Sequence, residues 1–156
     1  MNNDERSLEQ VYHSAVSGLY ARLRSNYDFI YRRFGDDGIK LIADMSRDYG
    51  LSIAQRVKDR LEDNDLTSVA NYLLRIFDTV NRRKGYESKV EWSDTRVVIR
   101  AERCILHFDM PEMCQAHTTM EKTVVEELNP NLRYRIGKSI PAGDAYCEHI
   151  IEVITQ

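Results

Sequence analysis

Six residues in the last third of this 156-residue chain have side chains suited to chemistry: Cys104, Cys114, His117, Glu121, Cys147 and His149. Cys114, His117 and Glu121 are spaced i, i+3, i+7, which stacks them on one face of a helix within two turns. Cys147 and His149 are two apart, which places them on one face of a strand. A thiol near a helix start feels the positive end of the helix dipole, which favours the thiolate, and His117 one turn on is placed to act as its base. One chemistry for this set is nucleophilic: Cys114 attacks an electrophilic carbon, His117 shuttles protons, Cys147 assists from the strand and Glu121 orients His117. Another is zinc, held by three thiolates and an imidazole in a closed tetrahedral site, or catalytic with water in one position. There is no C-x-x-C pair, and a single C-x-x-H is a weak signal, so three core cysteines and an ordinary histidine stand as the plain reading.

The elements that must position these residues form two textures. Residues 1–85 carry helical periodicity. The first stripe runs from Ser7 to Phe34 and stops at Gly35; Asp36 or Asp37 caps the second, which Gly50 breaks or bends; the third spans Leu66 to Val80 and ends by Gly85. Residues 86–156 change texture. Lys89–Trp92 and Thr95–Cys104 form a hairpin, Pro111–Leu128 a helix capped by Asp109, Leu132–Ile136 a strand, Ala142–Asp144 a turn and Tyr146–Ile154 a last strand. Isoleucines occupy both faces of that last strand, so its inward face is open. The expected fold class is α+β, with an N-terminal helical half packed on a C-terminal antiparallel sheet plus one further helix, all in a single domain.

Bulk properties exclude some functions. A net charge of −3 gives no footprint for nucleic acid. Basic groups such as Arg32–Arg33 and Arg82–Lys84 read as solvated helix ends. No apolar run approaches the ~20 residues of a membrane helix, and the polar N-terminus has no signal-peptide core, which points to the cytoplasm. There, an odd count of three cysteines argues against disulfides. His13 on the first helix and His107 in a loop read as surface residues, and the tyrosines of the first helix are core or cavity lining.

The order of Cys104, then Met113–His117, then Glu127–Leu132 with its Asn129-Pro130, then Gly143–Cys147 resembles the L-2-amino-thiazoline-4-carboxylate hydrolase-like family. In outline that family is similar to 4-vinyl reductase and TRAPP-like domains. The resemblance implies an enzyme that hydrolyses a C–N bond of a small cyclic amidine- or amide-like substrate. Cys114 and Cys147 match the family's cysteine positions and Cys104 the earlier one, where it would contact substrate or a metal. Two positions depart from the pattern. His117 stands where an acidic residue is more usual, and His149 stands at an aromatic position, where it would meet substrate. The expectation is therefore a hydrolase using Cys114, His117, Cys147 and Glu121, with His149 and Cys104 binding substrate. The rival is a non-catalytic small-ligand domain of the 4-vinyl reductase type with a structural zinc; a third is a helical dimerisation module. All three allow a homodimer.

Overall fold

Ser7 starts the first helix by a reciprocal cap: its hydroxyl accepts from the Gln10 amide while the Gln10 side chain accepts from the Ser7 amide. In the computed structural model, which describes residues 6–80 and 86–154, this helix, α1, spans Leu8–Phe34. Gly35 both closes α1 and opens α2 (Asp36–Val57). Its φ of 56° lies where a side chain is disfavoured, so the corner is made by glycine, and neither Asp36 nor Asp37 serves as the expected cap. The helix α3 spans Leu66–Val80. The expected stop at Gly85 and the basic group Arg82–Lys84 lie outside the described residues.

Gly50 does not break α2. The helix runs straight through it because Gly50 faces α4 (Pro111–Leu128) at close range. A Cβ there would sit 2.7 Å from the Met120 carbonyl oxygen and 2.8 Å from Thr123 Cβ. The glycine that looks like a helix breaker in sequence is thus a helix-packing contact. The N-cap of α4 is Met110, with no side-chain bond, and Asp109 does not cap it. Pro111 fills the first turn, where its missing N–H costs nothing.

The strands are β1 (Lys89–Trp92), β2 (Arg96–Ala101), β3 (Leu132–Ile136) and β4 (Cys147–Val153), in the antiparallel order β1-β2-β4-β3. β2 ends at Ala101, so Cys104 lies in the following loop and not at the strand end expected for it. Register settles the inward face of β4. Ile151 pairs with Val97 and Tyr134, and His149 with Ile99 and Ile136, so the Cys147–His149–Ile151 row faces the helices. Val97, Ile99 and Ile151 are fully buried there, with Leu73 of α3 and Val124 and Val125 of α4. The opposite face carries ion pairs: Arg100 with Glu148 (3.2 Å) and Glu91 (3.0 Å), and Arg135 with Glu152 (3.0 Å). Ile150 and Val98 are nonetheless buried on that face, among the arginine positions of β2 and β3. That is why isoleucine appears on both sides of β4.

A second cluster joins α1 and α2 to the loop before α4: Tyr27, Ile42, Leu106, Phe108, Met113, Cys114 and Ala116. The Tyr12 hydroxyl donates to the Thr79 carbonyl, tying α1 to α3, and Arg24 Nη1 donates to Leu106 O at 3.1 Å. The helical half therefore closes over the sheet half and leaves a space between them.

Candidate functional site

That space is a cavity of about 500 Å³, within the range of small-molecule sites. All six residues singled out from the sequence line it: Cys104, Cys114, His117, Glu121, Cys147 and His149. The helix-face argument for Cys114, His117 and Glu121 holds, as does the strand-face argument for Cys147 and His149. The remaining wall is largely apolar and comes from α1, whose tyrosines the sequence allows as cavity lining, and from α2 and α3, which it does not tie to the site. Tyr20 and Leu23 project from α1, Ile53 from α2, and Tyr72, Ile76 and Phe77 from α3. The stripes on α2 and α3 read as core packing alone, and in part they are; only tertiary docking shows which members face a space.

Convergence does not bring the expected chemistry. Burial pushes the Cys114 thiol up to about 11, so it is a thiol at neutral pH and not the thiolate that a helix start was expected to favour. Desolvation outweighs the helix dipole because Cys114 lies in the first turn yet is only 9% exposed. The Cys147 thiol is also raised by burial, and its Sγ accepts from the Ile140 N–H at 3.3 Å. Burial lowers both histidines to about 4, which leaves them neutral, with the His117 ring adding to the effect on His149. Each imidazole is held by a tyrosine: Tyr27 Oη lies 3.2 Å from His117 Nδ1, and Tyr134 Oη 2.6 Å from His149 Nδ1. Tyr27, and not Glu121, therefore positions His117. Phe108 stacks against Tyr27 and edges onto His117, while Phe77 packs on His149.

Glu121 stands apart. It is 5% exposed, burial pushes its carboxyl up to about 7, and its Oε2 has no hydrogen-bond partner. Among the described residues no group of three or more His, Cys, Asp or Glu is arranged to hold a metal ion.

No family model matches this chain, and no curated protein matches it. Its fold is similar to a solved structure: trafficking protein particle complex subunit 3 from Naegleria fowleri, covalently bound to palmitic acid. The TM-score is 0.60 at 14% identity, over 87% of this chain and 95% of that one. The likeness is one of fold, and it bears out the TRAPP-like part of the outline. The expectation of a hydrolase is overturned. The finding that overturns it is the fold, which is shared with a trafficking-complex subunit. No described helix is long and apolar enough to cross a membrane.

Proposed function

We propose that this chain is a non-catalytic small-ligand-binding domain that takes an apolar molecule into the cavity between its helical and sheet halves. The observation that carries this reading is the cavity itself: about 500 Å³, walled largely by aromatic and aliphatic side chains, with its buried Cys114 thiol and its His117 and His149 imidazoles held uncharged. The pattern of Cys104, Cys114 and Cys147 marks the wall of a binding site instead of a reaction centre. The similar trafficking subunit holds palmitic acid covalently; the apolar occupant is carried over here and the covalent bond is not, because Cys114 and Cys147 are kept as thiols. Three free cysteines fit a reducing, cytoplasmic setting.

A neutral fluorophore such as N-phenyl-1-naphthylamine is expected to bind one-to-one and saturably. Ile76→Trp, which projects a larger ring into the cavity, is expected to weaken binding at least about tenfold, or ~1.4 kcal/mol. Absence of saturable binding by the folded wild type would remove the reading.

A second reading concerns partners. α1 buries only Tyr27 among its 27 residues, and Leu19, Phe29 and Phe34 on it are 56–69% exposed. On α2, Leu41 and Met45 are i and i+4 neighbours, also exposed. We propose that these positions meet a second copy of the chain, a homodimer. Light scattering is expected to give the dimer mass, and Leu41→Glu with Met45→Glu the monomer mass. A monomeric wild type at tens of micromolar would exclude this.

A further inference from the structure

Several polar groups of the cavity are paired with protein neighbours. Tyr27 takes His117, Tyr134 takes His149, and the Thr118 hydroxyl donates to the Cys114 carbonyl at 2.9 Å. The cations on the wall are engaged elsewhere: the Arg56 Nε donates to the Ser52 carbonyl at 3.2 Å, and the Arg103 guanidinium lies over the Tyr86 ring at 5.5 Å. Two buried atoms of the wall have no partner among the described residues, Ser88 Oγ and Glu121 Oε2, and only the second belongs to a group that can carry charge. A buried carboxyl is costly to keep, and leaving one oxygen unmet adds to the cost. A neutral amide in its place would serve a hydroxyl-bearing ligand equally well; only a cation gains specifically from an acid.

We infer that the ligand of this cavity is an apolar amine, its protonated head group ion-paired with the Glu121 carboxylate and its hydrocarbon body lying along the wall of Leu23, Ile76 and Phe77. This rests on the small-ligand reading above and gives it a ligand class. It also separates the ligand from a fatty acid, whose carboxylate would meet Glu121 as a like charge.

The groups that face Glu121 leave it as the switch for binding between pH 6 and 8. From α1, Tyr20, pushed up to about 12, and Tyr27, also raised, remain hydroxyls. Tyr72 of α3 and Tyr134 of β3 are likewise raised, and Cys114 of α4 and Cys147 of β4 remain thiols. His117 and His149 stay neutral. The guanidiniums of Arg56 and Arg103 and the side chains of Tyr49 and Cys104 complete the wall, and an alkylammonium keeps its proton below about pH 10. With the Glu121 carboxyl titrating at about 7, an amine is expected to bind about tenfold more weakly at pH 6 than at pH 8.

The test displaces the neutral fluorophore from the whole chain with decylamine, decanol and decanoic acid, each below its aggregation limit, at pH 6, 7 and 8. Decylamine is expected to bind at least tenfold more tightly than the other two at pH 8 and to lose that margin towards pH 6. Glu121→Gln, folded by circular dichroism, is expected to bind decylamine and decanol alike with no pH dependence. If decanol or decanoic acid equals decylamine in the wild type, the amine inference falls while the cavity reading stands. If the fluorophore binds and none of the three displaces it, the amine inference also falls. If the fluorophore itself fails to bind, both fall. The wild-type pH profile decides the matter even if the variant does not fold.

Discussion

Glu121→Gln is expected to make the empty protein more stable, and increasingly so as pH rises. A carboxyl that titrates at 4.5 in the unfolded chain and at about 7 when buried contributes stability only where both forms are protonated, below about pH 4.5. As pH rises through that interval the unfolded chain releases its proton first, and the folded state loses up to about 3 kcal/mol by pH 8. Glutamine has the shape of the protonated acid and no charge to desolvate. Urea titrations of the two proteins should therefore diverge between pH 5.5 and pH 8 by about 2 kcal/mol in favour of the variant, with unchanged m values. A variant less stable than wild type at pH 8 would mean that the carboxylate has a partner in solution. With an amine bound the order should reverse, because the ligand stabilises only the protein that holds its counter-charge. A residue that weakens the empty fold and strengthens the occupied one is the pattern of a site kept for binding.

Acidification is expected to act through the two buried histidines, with the opposite sign. His117 and His149 titrate at about 4 in the fold and near 6.5 when unfolded. Above pH 6.5 both states hold neutral imidazole and nothing is lost. Below it the unfolded chain gains protons that the fold refuses, at a cost approaching 3 kcal/mol for each ring by pH 4.5. Over the same interval protonation relieves Glu121 of about 3 kcal/mol, so the wild type should lose only ~2 kcal/mol between pH 7.5 and 4.5. Glu121→Gln lacks that relief and should lose about 5 kcal/mol, so its advantage at pH 8 closes on acidification and the two proteins converge in stability near pH 4.5. The imidazole C2–H resonances of His117 and His149 should stay at their neutral positions down to the unfolding transition. Titration of either ring near pH 6.5 within the folded protein would refute the account.

How far the sequence anticipates this site depends on the kind of fact. Periodicity is local, so α4 and the shared face of Cys114, His117 and Glu121 are legible from spacing, as is the row of Cys147 and His149. Whether that row looks inward is settled by pairing with Val97 and Ile99, some fifty residues away, which no local pattern carries. Gly50 reads as a breaker because propensity is blind to the Met120 carbonyl opposite it. Cys114 misleads for a related reason: the helix dipole is visible in sequence, but the burial that defeats it is contributed by Leu106, Phe108 and α2. Tyr20 on α1 and Phe77 on α3 belong to the cavity through tertiary docking, and the only hint of them is an aromatic at helical spacing. Charge states follow burial, so the chemistry of a site is the last property to become readable.

The strand order has a consequence for how this molecule keeps company. With β2 and β4 in the centre, β1 and β3 are both edges with backbone groups open to pairing. β1 is only four residues long and exposes Lys89 and Glu91, while β3 exposes Arg133 and Arg135. Another strand added at either rim would have to settle beside these charges, so growth of the sheet from molecule to molecule is discouraged at both ends. The homodimer proposed above would thereby be left to the helices.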